Sequence, residues 1–167
     1  LVTGVQTCAL PIYSGVEAWT DQARHLGFDV LINEGRLLEF GDGRIALAGA
    51  TDCGAAEMVP DHASDPAKAF ATVGAADVRI LLAHQPRSIE AASRAGCHLQ
   101  LSGHTHGGQF LPWKFVIPLQ QPFVAGLHKF RDTWIYIHRG TGYWGPPLRI
   151  GAPSEIAVLT LRQAPAA

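Results

Sequence analysis

The 167-residue sequence predicts an α/β fold, and three observations carry that prediction. Short apolar runs alternate with stretches in which apolar residues return every three or four positions, the pattern of strands interleaved with helices. Residues 78 to 102 hold one complete strand, helix, strand unit. Apolar residues make up 47% of the chain, enough for one core, while the length leaves no room for a second complete domain.

Taken in order, Ser14 with Glu17 three residues later forms a capping-box pattern. Val16, Trp19, Ala23 and Leu26 follow at helical spacing before Gly27, so a helix is expected from Ser14 to Leu26. Phe28 to Ile32 reads as a strand, and so does Ile45 to Ala50 after the turn residues Gly41, Asp42 and Gly43. Asp65 before Pro66 is a helix start leading to about Val73. Val78 to Ala83 is the next strand; Ser88 caps a helix through Ile89, Ala92 and Ala95 that ends at Gly96, and Cys97 to Ser102 is again extended. Pro112, Pro118 and Pro122 crowd the segment from Phe110 to Gly126, which reads as a long surface loop. Thr133 to His138 and Glu155 to Leu161 are the last two expected strands.

Charge and cysteine content narrow the function classes. Thirteen Lys and Arg against 14 Asp and Glu create no broad field for nucleic acid or anionic lipid, so any phosphate recognition has to be local. The three cysteines, Cys8, Cys53 and Cys97, contain no CxxC pair, and a disulfide framework is not expected. No apolar run approaches the roughly 20 residues of a spanning helix, and the first residues lack the order of a signal peptide. The chain is expected to be soluble.

Val2 to Ile12 reads VTGVQTCALPI, which resembles the translation of a common sequencing-library adapter. Residues 1–12 are therefore set apart as a non-native segment, and 13–167 as the natural part, with Tyr13 falling inside a domain.

The chemistry gathers in GHTHGGQ, residues 103 to 109, directly after the strand Cys97 to Ser102. Open α/β sheets place their ligands at such C-terminal strand ends. His104 and His106 stand two apart, so both imidazoles reach one site only if the backbone between them bends. Gly103, Gly107 and Gly108 supply that freedom and let main chain approach a bound anion, which makes them candidate substrate-binding positions. His84 ends the preceding strand as His104 follows the next one, and two parallel neighbours joined by one helix bring those tips together. Neutral imidazole is a common ligand for zinc, iron and manganese. His84, His104 and His106 are the candidate metal ligands.

The LLAHQP around His84 and the GHTHGGQ of His104 and His106 resemble the last two signature motifs of the calcineurin-like metallophosphoesterases, in particular the bacterial YkuE-type subgroup. QQPFVAGLH and RGTGYWGPPLRIGAPSEI resemble that subgroup's closing segment, so the likeness runs from Tyr13 to Leu161. It implies the C-terminal half of a four-layer αββα sandwich with two mixed sheets face to face. It implies that the position of His84 binds one metal, that of His104 the same metal, and that of His106 its partner. Two divalent ions, from among manganese, iron, zinc and cobalt, would serve an intact phosphomonoesterase or phosphodiesterase. The family also uses DxH, GD and GNH motifs, which the resemblance places upstream of Tyr13. No catalytic residue is then retained, since the proton-donating histidine belongs to those motifs, and weak or no hydrolysis by this chain alone follows, with at most one weakly bound ion. Subgroup relatives often carry an N-terminal membrane or export segment, which leaves the parent's location open.

Two other readings stay open: a noncatalytic remnant with a weak metal site, and a mononuclear zinc hydrolase built on His84, His104, His106 and water. Asp52, Glu57, Asp61 and Asp65 read as a solvated acidic run and are the reservoir of carboxylates for the second of these. His25, His62, His98, His128 and His138 read as structural histidines. Trp113, Phe115, Phe123, Tyr143 and Trp144 read as core or loop packing in preference to a substrate or membrane-facing groove. Nothing implies nucleic acid, and neither substrate identity nor oligomeric state is legible. Deleting Leu1 to Ile12 is expected to shift the urea unfolding midpoint by less than the typical ~1 kcal/mol of a point substitution. A larger loss would show that the segment packs into the domain.

Overall fold

A computed structural model describes residues 15–57 and 59–162. Its elements are α1 (Val16–His25), β1 (Glu34–Phe40), β2 (Gly43–Gly49), α2 (Pro66–Ala71), β3 (Val78–Leu82), α3 (Ile89–Arg94), β4 (Leu99–Ser102), α4 (Trp113–Val116), β5 (Gly126–Phe130) and β6 (Thr133–Ile137). The described residues form a mixed α/β fold around one six-stranded sheet of order β1-β2-β3-β4-β6-β5. The four central strands β2, β3, β4 and β6 run parallel, and β1 and β5 are antiparallel edges. Of the two sheets that the resemblance implies, the described residues hold this one.

Both short helices α2 and α3 serve as crossovers and pack on the same face, as right-handed connections between successive parallel strands require. That face is built from Ala46, Ala48, Ala50, Leu81 and Ala83 on the strands, closed by Ala69 and Phe70 of α2, Ala92 of α3, and Cys97. Four alanines make the surface shallow, so the helices sit close. At Gly35 a side-chain carbon would stand 2.2 Å from Val73 Cγ2, and only glycine admits α2 there. The opposite face carries Leu47, Ile80 and Leu82, with Leu38, Ile45, Val78, Leu99 and Leu101 half-buried around them, and this cluster consists of strand residues alone. A third cluster joins Ile89 to Ile135 and Ile137.

Several sequence expectations hold. Asp65 caps α2 by accepting the Lys68 main-chain N–H at 2.9 Å, with Pro66 in the first turn. Such a cap contributes about 1 kcal/mol. The strand, helix, strand unit of residues 78 to 102 is present with parallel pairing.

Other expectations fail for identifiable reasons. Residues 28–32 are not a strand; the strand begins at Glu34, where pairing with β2 across the Gly41 turn dictates the register. Leu31 instead turns inward over Gly49. Ser88 makes no capping bond, because a 3-10 turn at Pro86–Ser88 leads into α3 and Ser88 itself is already helical. The segment expected to be a loop contains α4 and a 3-10 turn at Ile117–Leu119. Strand β5 was not foreseen: its two-residue connection to β6 is Arg131 and Asp132, with Arg131 at φ 53 and no glycine to announce it. The expected strand at 155–161 does not form. Its alternation is real, yet Ile156 and Val158 are 88% and 89% exposed, and no described strand lies beside it to complete a ladder. Helix α1 buries no residue, and the Ser14 half of its expected capping box, like the adapter-like segment 1–12, lies outside the described residues.

Leu81 is wholly enclosed between the sheet and the two crossover helices. Leu81→Ala is expected to cost ~2 to 5 kcal/mol of stability, read as a lower urea midpoint at unchanged m-value.

Candidate metal centre at the strand tips

Parallel alignment sends the C-terminal ends of β2, β3, β4 and β6 to one edge of the sheet, and the segments that follow them form the site. The ladder continues past the strands: Ala50 N–H donates to the Leu82 carbonyl, Ala83 N–H to the Leu101 carbonyl, and Gly103 N–H to the His84 carbonyl at 3.0 Å. These bonds hold His84 and His104 side by side. His104 Nδ1 lies 3.3 Å from His84 Nε2, with the rings edge-on and their centroids 5.0 Å apart. Two nitrogens bound to one ion through bonds of about 2.1 Å at a tetrahedral angle stand about 3.4 Å apart, a separation that this pair matches.

His106 opens the 3-10 turn His106–Gly108, two residues after His104. Arg149 Nη2 is 3.1 Å from His106 Nδ1, and the ring also faces the Gly142 carbonyl. Among the described residues no three His, Cys, Asp or Glu side chains are gathered closely enough to hold an ion. The three-histidine mononuclear arrangement is therefore not what these loops build, because His106 is turned to Arg149 while His84 and His104 face each other.

Backbone strain shapes the loop. His104, His106 and Gln109 have φ of 67, 50 and 41, and Gly107 and Gly108 of 64 and 84, so almost every residue of the loop is left-handed. A non-glycine residue held there costs on the order of 1 kcal/mol or more and persists only where the surroundings enforce it. Thr105 provides one anchor, donating its hydroxyl to the Val124 carbonyl at 2.6 Å. Gln109, fully buried, provides the other: Nε2 donates to the Trp144 carbonyl at 2.8 Å and Oε1 accepts the Trp144 N–H at 2.9 Å. Of the three candidate glycines, Gly103 has open space around it. Gly107 lies against Arg139, and Gly108 against the Lys114 main chain, where a Cβ would meet Cα at 2.7 Å.

Electrostatics keep the histidines neutral. Burial pulls the His84 pKa down to about 4, with His104 adding to the effect and Asp52 opposing it. His104 is lowered chiefly by lost hydration, with Arg87 adding and Asp52 opposing. His106 is lowered by burial, then by Arg149 and His104. Neutral imidazole is the form that binds metal.

Comparison with known proteins decides the family. No family model matches the chain, and no solved structure matches it. An uncharacterised metallophosphoesterase of Campylobacter jejuni is 38% identical over 152 residues, 90% of this chain and 39% of that protein. The chain belongs to the metallophosphoesterases. A Danio rerio protein named as a transmembrane protein with a metallophosphoesterase domain is 37% identical over 89% of this chain and 36% of its own length. Phosphodiesterase YaeI of Escherichia coli is 33% identical over 81% of this chain and 48% of its own length. This metallophosphoesterase chain thus spans less than half the length of the relatives it matches.

Sequence reasoning missed several residues of the site. Asp52 was read as part of a solvated acidic run, but it is buried at the tip of β2, where Oδ1 accepts the Gly54 N–H at 2.8 Å and Gln85 Nε2 at 2.9 Å. Asp65 caps a helix, while Glu57 and Asp61 are exposed as expected. Asn33 ties Thr51, Ala63 and Asp65 together. Arg149 was quoted within a motif and given no role. A lone arginine in a glycine and proline-rich segment was the available signal. The remaining histidines divide as follows: His98 accepts the Arg79 N–H, His138 accepts the Gly140 N–H, His128 meets the Ala125 carbonyl, His62 is half-buried in the 3-10 turn Pro60–His62, and His25 is exposed. Phe123 packs against the Ile135 cluster; Trp113 and Trp144 pack edge-on at 5.4 Å and stay 39% exposed, and Phe115 and Tyr143 are exposed.

His84 gives a pH dependence with a definite sign. Its folded pKa of about 4 lies below its ordinary 6.5, so the unfolded chain takes up a proton first as pH falls. Stability present above pH 6.5 is expected to decline between pH 6.5 and about 4. His84→Gln is expected to flatten that decline in urea unfolding measured across the same window, and an unchanged slope would remove His84 as its source.

Proposed function

We propose that this chain is one part of a metal-dependent phosphoric ester hydrolase in which His84 and His104 share one divalent ion and His106 serves a second. The observation that carries the reading is the 3.3 Å separation of His84 Nε2 and His104 Nδ1 at adjacent parallel strand tips. Membership in the metallophosphoesterases supports it from a separate direction. The Escherichia coli relative's name supports a phosphate ester, mono or di, as substrate.

Two ions, from among manganese, iron, zinc and cobalt, would activate a water and neutralise phosphoryl charge. The chain's own residues contribute orientation. The ladder bond from Gly103 to the His84 carbonyl sets the spacing of the ligand pair, and Arg149 together with the Gly142 carbonyl fixes the His106 ring. Gly103 leaves an unobstructed approach for the ester.

The remaining ligands belong, in this proposal, to the length of the relatives that this chain does not span. Three neutral imidazoles do not offset the four positive charges of two divalent ions, so a bridging carboxylate is required from elsewhere. Residues 13–167 are accordingly the C-terminal part of the domain, and residues 1–12 are foreign to it. The Danio rerio relative's name supports membrane association of the parent. Among the described residues no helix is long and apolar enough to cross a membrane.

The test compares this chain with a longer protein carrying DxH, GD and GNH motifs, both after metal analysis and both on an aryl phosphodiester with added manganese. The chain alone is expected to act barely above background, since absence of the proton-donating histidine costs about 10²- to 10⁴-fold beyond the loss of the second ion. The longer protein is expected to turn over readily and to lose activity on His104→Ala or His106→Ala. Equal turnover by both, with one ion per chain, would overturn the two-ion reading.

A further inference from the structure

At the same sheet edge, Arg87 has no role in the arrangement described so far. It lies on the turn Pro86–Ser88, three residues beyond His84, and its main chain is fixed: Arg87 N–H donates to Gln121 Oε1 at 3.0 Å. Gln121 is buried and donates through Nε2 to Gln85 Oε1 at 2.9 Å, and Gln85 in turn donates to Asp52. The side chain is held as well. Arg87 Nε donates to Cys53 Sγ at 2.8 Å, and Nη2 passes over Gly54, 3.7 Å from where a side-chain carbon would stand.

An exposed arginine ordinarily spreads over many rotamers, and fixing it costs entropy. Here the bond to Cys53 has already restricted the fork. Its two terminal nitrogens have no acceptor among the described residues, and Arg87 forms no ion pair there. The nearby carboxylate of Asp52 is occupied at Oδ1 by Gly54 and Gln85. The positive charge is close enough to His104 to make its protonation harder.

We propose that Arg87 is a phosphoryl-binding residue, whose terminal nitrogens take a non-bridging oxygen of a phosphate ester seated at the His84 and His104 pair. This rests on the metal reading above and deepens it toward a substrate class. A planar guanidinium is suited to phosphate oxygens, and Nε held by Cys53 leaves the outer edge of the fork to do it. A terminal phosphoryl group has three non-bridging oxygens and a diester two. If two face the ions, only the terminal group keeps a third for Arg87, so the residue favours phosphate monoesters over diesters.

Titration calorimetry on the zinc-loaded longer protein that carries the DxH, GD and GNH motifs, with inorganic phosphate and with dimethyl phosphate as the diester probe, tests this without turnover. Arg87→Gln is expected to weaken phosphate binding by about 10- to 100-fold, the range for hydrogen bonds to a charged group. Dimethyl phosphate binding should change less, and zinc stoichiometry and the urea midpoint should not change. Arg87→Lys keeps the charge without the fork and is expected to fall between the two; it also carries the test if the glutamine variant unfolds. Zinc uptake with phosphate affinity indifferent to both substitutions, or with no saturable phosphate binding, overturns the role of Arg87 and leaves the metal reading standing. No zinc uptake by the unsubstituted longer protein overturns both.

Discussion

The hydrogen bond from Gly103 N–H to the His84 carbonyl is the constraint on which the site depends. It extends the parallel ladder of β3 and β4 one step beyond the strands, at the point where the chain would otherwise be free to diverge. Parallel pairing exists because α3 returns the chain to the same end of the sheet, and α3 is held by Ala92 against a face of alanines and Leu81. The ring-to-ring geometry of His84 and His104 is therefore a consequence of core packing more than of any attraction between two neutral imidazoles.

The left-handed residues of the 104–109 loop would relax without restraint, and the restraint comes from far along the chain. Gln109 binds Trp144 through both ends of its amide. Arg149 donates to the carbonyls of Arg139, Gly142 and Ala152 and meets His106 with the same group. Glu155 accepts from the Tyr136 hydroxyl and pairs with Arg139 at 3.0 Å, bringing the tail back beneath β6. The closing segment thus acts as a clasp. One arginine meets three carbonyls and a ring, which orients His106 at the cost of leaving that ring apart from the other two.

The two faces of the sheet differ in kind. One is closed by helices that belong to this chain. The other ends in half-buried Leu38, Ile45, Val78, Leu99 and Leu101, and is aliphatic and regular. The loops beside the site are different again, with Trp113, Phe115, Tyr143 and Trp144 presenting aromatic bulk on irregular backbone. Arg87 stands near neither apolar surface but at the polar edge where the strand tips meet, which is why its fork is available to an anion.

Local signals in the sequence determined the α/β class, the 78–102 unit and the Asp65 cap, and marked His84, His104 and His106 as candidate ligands. Each rests on neighbours a few positions apart: apolar spacing, a proline after an aspartate, glycines around a histidine pair. Strand β5 was illegible because Arg131 adopts a left-handed turn without glycine, and residues 155–161 misled because alternation states a preference for a ladder without supplying the partner. Only the tertiary structure decided that Asp52 is buried, that His106 faces Arg149, and that Arg87 lies over Gly54. Those contacts join residues 33 to 43 positions apart, and the energy that selects them comes from burial and hydrogen bonds across the strand tips, which no local pattern encodes.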